Sequence, residues 1–155
     1  MASALPAIPR YIFTIFEPAI LLVAFLTISL FPRYYVSSQS PLDPPSRPLT
    51  APEEILVYQL SNVFLLIAFT SLYVLNSTND VKVARAWLSA LWWGDLGHIG
   101  VTAWCMDWET FSSVGTWTMV NWANLSIPSL LFSLRSLYFL GMFGPELAKD
   151  ANKVF

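Results

Sequence analysis

The sequence predicts an all-α, polytopic membrane protein in which four transmembrane helices form one bundle. Hydrophobic residues make up 55% of the 155 residues and charged residues only 12%, which is too apolar for an ordinary soluble domain. Four apolar segments each reach about 20 residues, the length that crosses a bilayer. These segments also carry ionisable residues, which are costly in hydrocarbon and therefore usually face a bundle interior. We treat residues 1–155 as a single integral membrane domain.

The first apolar segment predicts a span over residues 10–31. It is longer than the apolar core of a signal peptide, roughly 7–15 residues, and it carries Glu17, so we interpret it as a helix of the mature protein. Pro18 lacks a backbone N–H, and we expect it to bend the helix about one turn earlier. Such a bend would open space beside Glu17.

The segment after the first span is rich in proline. Residues 32–52 contain six prolines, a composition that predicts an extended external loop rather than another helix. A loop of this length acts either as a lid over a site or as a plain connector, and the sequence leaves both open. The second span is predicted over residues 54–75. The short polar segment 76–80 then predicts that spans two and three are antiparallel neighbours.

The third span is predicted over residues 81–105, and it carries two ionisable residues near its middle. Asp95 and His98 are three positions apart, which places both side chains on one helix face. Glycines repeat at the same spacing and predict a ridge without side chains, which another helix or a ligand can approach closely. These glycines are Gly94, Gly97 and Gly100.

The fourth span is predicted over residues 118–142. Asn121, Asn124 and Arg135 project to nearly the same side of this helix, because eleven residues make almost three turns at about 3.6 residues per turn. Arg135 lies well inside the span, at a depth similar to that of Glu17. The two side chains are therefore expected to meet.

The basic residues predict the orientation of the bundle. Four spans place both termini on one side, and more Lys and Arg residues flank that side than the other. By the positive-inside rule the termini are cytoplasmic, and we expect the protein in the endoplasmic reticulum membrane. Asn76 begins a glycosylation sequon that this topology keeps unmodified. The basic residues are Arg10, Lys82, Arg85, Lys149 and Lys153 on the terminal side, and Arg33 and Arg47 on the other.

Composition also excludes several classes of protein. A net charge of −2 with no run of basic residues excludes nucleic-acid binding. The single cysteine excludes an internal disulfide and every multi-cysteine metal site. One histidine with scattered carboxylates is not a recognisable ligand set, so we expect no metal and no cofactor. The expected partners are the bilayer and a lipophilic small molecule, with a homodimer left open.

The depths and helix faces of the polar residues predict one polar cavity inside the bundle. If Arg135 pairs with Glu17, it favours an ionised Glu17, whereas low dielectric favours a protonated Asp95. Two carboxyl groups that differ in this way provide a base and an acid. The candidate catalytic residues are Asp95, Glu17 and His98. The candidate substrate-binding residues are Arg135, Asn124, Asn121, Asn62, Gln59 and Trp92.

Structural roles remain as alternatives for these residues. The asparagines can simply join helices through hydrogen bonds, Glu17 and Arg135 can form a structural ion pair, and His98 can be a packing residue. Lipid-facing walls imply a lipophilic ligand in either case. A non-catalytic lipid-binding or sterol-binding membrane protein therefore stays beside the enzyme hypothesis, as does a structural subunit of an assembly.

Several short motifs together resemble a family of short fungal integral membrane proteins of natural-product biosynthesis. They are Ile8-Pro-Arg-Tyr, Glu17-Pro18, Tyr58-Gln59-Leu60 with Asn62, Asp95-Leu-Gly-His98, and a closing Trp/Asn-rich span with Arg135. Members of that family include epoxide-opening hydrolases of polyene polyketide biosynthesis. The resemblance implies acid–base opening of an epoxide in a lipophilic polyketide or terpenoid, by hydrolysis or cyclisation.

More distantly, the four-span plan is similar to the emopamil-binding and sigma-2 receptor group. Sterol isomerases of that group use intramembrane carboxylates and histidine. This chain departs from their carboxylate spacing, which favours epoxide opening over sterol isomerisation. A sterol-isomerase-like enzyme and a terpene cyclase are kept as alternatives.

Overall fold

A computed structural model describes residues 4–40 and 47–145, and within these ranges the chain is helical and contains no strand. The predicted all-α class is confirmed for this part of the chain. Six helices follow one another, four of them long, and a 3₁₀ turn at Val114–Thr116 precedes the last. They are α1 (Ala7–Leu30), α2 (Pro32–Ser37), α3 (Ala51–Ser77), α4 (Val81–Cys105), α5 (Trp108–Ser112) and α6 (Met119–Phe139).

Helix α1 changes geometry in its first half. It consists of an α-helical turn, a π-helical segment at Ile12–Phe16 and an α-helical segment at Glu17–Leu30. The π segment ends directly before Glu17 and Pro18. A proline ring clashes with the carbonyl four residues earlier in a regular α-helix, and wider winding relieves this clash. The structure has a π-helical segment in the turn before Pro18, where the sequence predicts a bend, and Glu17 directly after this segment is buried.

The structure corrects the interpretation of residues 32–52 as an extended loop. The first six of these residues form helix α2, with Pro32 in its first turn. Proline suits that position because its φ angle is already helical and its missing N–H would have no partner there. Residues 41–46 lie outside the described ranges. Helix α3 then begins with a capping box in which Glu53 accepts a hydrogen bond of 2.8 Å from the Thr50 N–H.

The four long helices form two closely packed pairs. Helix α1 packs on α3, where the Ser29 and Ser61 hydroxyls are hydrogen-bonded at 2.6 Å. Helix α4 packs on α6, where the Trp92 indole N–H donates to the Ser136 hydroxyl at 2.8 Å. Contacts between consecutive helices α3 and α4 are few by comparison. The space between the two pairs is therefore available for a cavity.

A hydrophobic core closes one end of the bundle. Leu5 and Phe13 from the N-terminal part pack with Leu75 at the end of α3, Leu88 in α4 and Tyr138 at the end of α6. All five side chains are buried. This cluster shows that the end of α3, the first half of α4 and the end of α6 lie together, so the long helices alternate in direction.

Two of the long helices are long and apolar enough to cross a membrane. They are Ala7–Leu30 and Ala51–Ser77, and only 28% and 22% of their most apolar windows are buried inside the protein. A core helix of a soluble protein would be mostly covered, so this low burial favours membrane insertion. Helices α4 and α6 do not reach the same hydropathy, and both carry polar residues that line the interior of the bundle.

Candidate functional site

A buried arginine joins the two helix pairs. Arg135 of α6 donates from Nη1 to Asp95 Oδ2 of α4 and from Nη2 to Glu17 Oε1 of α1. Its side chain is 0% exposed, and its guanidinium lies over the Phe13 ring at 5.2 Å. The expected pairing with Glu17 is present, but Arg135 does not pair with Glu17 alone. We call Glu17, Asp95 and Arg135 the ion triad.

The ion triad forms the polar floor of a cavity that all four long helices enclose. This inner cavity has a volume of about 200 Å³, and its lining is mainly apolar and includes Leu21 and Phe64. Four predicted site residues also line it: Glu17, Asp95, His98 and Asn124. Arg135 lies behind the two carboxyl groups and not in the wall. The structure therefore brings together the acid–base candidates that the sequence indicated.

Two buried polar atoms of the cavity residues have no hydrogen-bond partner among the described residues. They are Glu17 Oε2 and His98 Nε2. The Glu17 side chain is only 4% exposed, so bulk solvent does not satisfy its second oxygen. An unsatisfied buried polar group costs about 1–3 kcal/mol, and cavities that hold such groups commonly bind water or a ligand. No hydrogen bond joins His98 to Asp95, so the two side chains have no direct contact for proton transfer in this structure.

A second, larger space adjoins the inner cavity. This outer groove has a volume of about 740 Å³ and lies between helix α2, the start of α3 and the last turns of α4. His98 and Asn124 line both spaces, so the inner cavity and the outer groove meet at these two side chains.

The first turn of α6 holds the segment that follows α2. Asn121 donates to the Gln39 carbonyl at 3.1 Å, and Asn124 donates to Gln39 Oε1 at 3.0 Å. Thr118 donates to the Ser38 carbonyl at 2.6 Å and also caps α6. The N-cap residue of α6 and two side chains of the helix thus hold residues 38–39 by hydrogen bonds over one end of the outer groove. This contact supports a covering role for α2 over that of a plain connector.

Tyr35 of α2 reaches the same cluster. Burial raises the pKa of its phenol, and hydrogen bonds with Gln39 and Asn124 oppose that rise. Sequence analysis missed Tyr35 and Gln39 because they lie in the segment interpreted as an extended loop. The helical spacing of Tyr35 and Gln39, four residues apart, is the signal that would have placed both on one face.

Gln59 and Asn62, which the sequence predicts as substrate-binding residues, line neither the inner cavity nor the outer groove. Both are exposed on α3, whose buried polar residues are instead Ser61 and Ser71. The Ser61 hydroxyl donates to the Phe25 carbonyl at 3.1 Å and faces α1. Apolar residues lie on every side of helix α3, so the period of its apolar residues does not reveal which face points inward.

Trp92, also predicted as a substrate-binding residue, lines neither of the two spaces. Its ring stacks on Phe132 at 4.8 Å and its indole N–H bonds to Ser136, so it joins α4 to α6. It lines a separate surface depression beside Arg85 and Trp93. Trp92 is one position round the helix from Leu91, and Leu91 is the residue that lines the inner cavity.

The described residues contain no group of three or more His, Cys, Asp or Glu side chains that could hold a metal ion. Glu17 and Asp95 are engaged by Arg135 on one oxygen each.

These observations define the class of protein: an all-helical bundle in which a buried arginine holds two carboxyl groups beneath an apolar cavity. Residues 2–145 match the family described as domain of unknown function DUF7704, and the chain belongs to that family. No curated protein and no solved structure matches it.

The contact between α2 and α6 leads to a stability prediction. An Asn121→Ala variant loses the hydrogen bond to the Gln39 carbonyl and part of the α6 capping box, because Asn121 Oδ1 accepts from the Thr118 N–H at 3.1 Å. We expect a loss of about 1–2 kcal/mol in the free energy of unfolding, measured by reversible denaturation in detergent micelles. The matched control is Asn62→Ala, which is expected to change stability by less than about 0.5 kcal/mol because Asn62 is exposed. Equal losses in both variants would contradict the role assigned to Asn121.

Proposed function

We propose that this chain is a four-span integral membrane protein. Helices α1 and α3 present large apolar side chains outward, such as Val23 at 63% exposure and Leu66 at 61%. Exposed apolar surface of this extent is unfavourable in water and is satisfied by lipid. Helices α4 and α6 span beside them, with Asp95 and His98 of α4 lining the shared cavity and Arg135 of α6 behind the carboxyl groups. The bilayer is therefore the first partner.

We further propose an endoplasmic reticulum location with cytoplasmic termini. Arg10, Lys82 and Arg85 lie near the end of the bundle that the hydrophobic core closes, and Lys149 and Lys153 lie outside the described residues. This orientation places Asn76, at the end of α3, on the cytoplasmic side.

The topology predicts that Asn76 stays unglycosylated. Translation of the chain with microsomes is expected to yield no endoglycosidase-sensitive shift, because the sequon does not reach the lumenal transferase. The positive control is a second sequon created by Pro48→Asn, which gives Asn-Leu-Thr over residues 48–50, since that loop faces the lumen in this orientation. A glycan on Asn76 and none on the introduced sequon would reverse the topology.

For the activity, we propose acid–base opening of an epoxide in a lipophilic polyketide or terpenoid. The observation that carries this proposal is the ion triad itself, two carboxyl groups held by one arginine at the floor of an apolar cavity. The apolar walls suit a substrate that enters from the bilayer. Among the reactions that acid–base groups can catalyse, the resemblance to epoxide-opening membrane proteins favours the opening of an epoxide.

The ion triad is well suited to share one proton. Arg135 carries one positive charge, and ionised Glu17 and Asp95 would carry two negative charges. A single proton on either carboxyl group makes the triad neutral, which is favoured because burial of net charge is costly. One carboxyl group then acts as an acid while the other acts as a base.

The proposed reaction transfers this proton to the epoxide oxygen as one carbon–oxygen bond breaks. In hydrolysis, water forms the new carbon–oxygen bond and loses a proton to the carboxylate, which gives a diol. In cyclisation, a hydroxyl group of the substrate replaces water, which gives a cyclic ether with a new hydroxyl group. In both cases the triad regains the proton that it donated.

The exposure of the two carboxyl side chains supports one assignment of acid and base within the triad. The Asp95 side chain is 14% exposed and the Glu17 side chain 4%, so Asp95 is more accessible to a ligand and is our candidate acid. Glu17 is the candidate base, with its unpartnered Oε2 available to accept a proton. His98 and Asn124 are placed to orient oxygen atoms, and the reverse assignment of acid and base uses the same contacts.

Labelled water tests this proposal. Membranes that contain the protein are incubated with epoxidised polyketide and terpenoid intermediates in H₂¹⁸O. A diol with one labelled oxygen is the expected product of hydrolysis, and an unlabelled cyclic ether is the expected product of cyclisation. Membranes without the protein are the control. Unchanged epoxide in both preparations would contradict the proposal and favour a non-catalytic lipid-binding or sterol-binding protein, which the same apolar lining supports.

A further inference from the structure

The glycine ridge of α4 does not pack against another helix. A β-carbon placed on Gly94, Gly97 or Gly100 meets no atom within 4 Å among the described residues. The expected close approach of a helix to this ridge is therefore absent. Gly94 lines the inner cavity, Gly97 lines the outer groove, and Gly100 lines neither. Two of the three missing side chains thus widen the two spaces.

The ridge runs past the junction of the two spaces. Gly97 precedes His98, and His98 and Asn124 line both the inner cavity and the outer groove. Beyond the junction, the groove walls are largely apolar and include Leu60 and Val101. Gly97 lies on the groove side of this junction, so an apolar tail that continues into the groove passes beside it.

The two spaces differ in chemistry. The inner cavity holds the unpartnered Oε2 atom of Glu17, a residue whose side chain is 96% buried. A hydrogen-bond donor or a polar ligand in the cavity would satisfy this oxygen. Its volume of about 200 Å³ is small beside the ~300–1,000 Å³ of sites that hold drug-sized ligands. A lipophilic ligand of that size needs a neighbouring space, and the outer groove of about 740 Å³ shares His98 and Asn124 with the inner cavity.

We propose that the inner cavity and the outer groove hold one elongated lipophilic ligand, with its oxygen-bearing end at the ion triad and its hydrocarbon remainder over Gly97. Gly97 is then the residue that determines the accepted chain length. This inference rests on the proposed function only in taking the ion triad as the end that meets the reactive oxygen.

Two photoreactive alcohols test the inference without requiring turnover. Each carries a diazirine at the end remote from the hydroxyl group; one has a hexadecyl chain and the other a hexyl chain. In the wild-type protein in bilayers, the long probe is expected to label the outer groove near Val101 and Thr102. The short probe is expected to label the inner cavity near Leu91. Excess unlabelled alcohol of the same length should suppress both.

A Gly97→Leu variant is expected to reduce labelling of the outer groove by the long probe about tenfold or more, because the added side chain fills the passage. Labelling of the inner cavity by the short probe should stay within about twofold. The fold should tolerate this change, since a β-carbon at Gly97 meets no neighbouring atom within 4 Å. Gly100→Leu is the matched control on the same helix, and it should label as the wild-type protein does.

Three results would overturn the inference. They are equal labelling of the groove in the wild-type protein and Gly97→Leu, an equal loss in Gly97→Leu and Gly100→Leu, and labelling of the wild-type protein that excess alcohol does not suppress. Failure of the proposed function is separate, because it is a lack of epoxide turnover in labelled water. A binding protein without turnover would still show the predicted labelling pattern.

Discussion

An Asp95→Asn variant is expected to lose at least about 100-fold in the rate of epoxide opening, because general acid–base catalysis by one positioned group contributes roughly 10²–10⁴-fold. Asparagine keeps the shape and the hydrogen-bonding oxygen but has no acidic proton to donate. Glu17 still neutralises Arg135 in this variant, so the fold should persist. The rate is measured by product formation from an epoxidised intermediate under saturating substrate.

Ligand binding separates this chemical loss from a structural one. Binding of the non-reactive hexadecyl alcohol probe should stay within about threefold of the wild-type protein, since the lost interaction acts mainly in the transition state. The matched control is Gln59→Ala, which removes an exposed polar side chain from α3 and should leave the rate unchanged. A full rate in both Asp95→Asn and Glu17→Gln would eliminate the acid–base mechanism.

An Arg135→Met variant is expected to be the most destabilising single substitution in the chain. It leaves Glu17 and Asp95 buried side by side without their shared partner. Breaking a buried ion pair by removing one member costs about 3–5 kcal/mol. Because Arg135 also joins the two helix pairs, the loss should appear in global unfolding in detergent rather than as local fraying.

Two further variants identify charge as the cause. A triple variant with Glu17→Gln, Asp95→Asn and Arg135→Met removes all three charges and should recover most of the lost stability. Arg135→Lys keeps the charge but loses the fork that reaches two carboxyl groups, so an intermediate stability is expected. The peripheral control is Arg47→Met, since Arg47 and Glu53 form a partly exposed ion pair at 2.7 Å, and such pairs contribute about 0–1 kcal/mol. An equal loss in the single and triple variants would show that packing, and not charge, explains the effect.

The sequence alone located the helices of this protein well. Apolar length placed the four long helices close to their observed bounds; the predicted span over residues 81–105 coincides with helix α4. The prediction of an extended loop over residues 32–52 is wrong at α2, because proline content alone does not separate a loop from the start of a helix. Pro32 lies in the first turn of a helix, where proline is favoured, and the remaining prolines follow the end of α2.

Charge also located the floor of the candidate site. A carboxylate or a guanidinium within an apolar helix is costly unless it faces the bundle interior and finds a partner of opposite charge. This cost explains why Glu17, Asp95 and Arg135 lie together. Neutral polar residues are less constrained. Gln59 and Asn62 lie on the exposed side of α3, and the hydrogen bond that joins α3 to α1 comes from Ser61. A single amide or hydroxyl group on an apolar helix costs too little to fix the side on which it lies.

By itself, the sequence determined the helical class, the positions of the four long helices and the presence of ionisable groups within largely apolar helices, because these depend on the length and composition of each segment. The tertiary structure decided which helices form pairs, that one arginine serves both carboxyl groups, and that the glycine ridge opens onto a cavity. These features depend on how each helix is rotated about its axis. Rotation is set by contacts between distant segments, and helices that are apolar on nearly every side leave no periodic pattern from which to predict it.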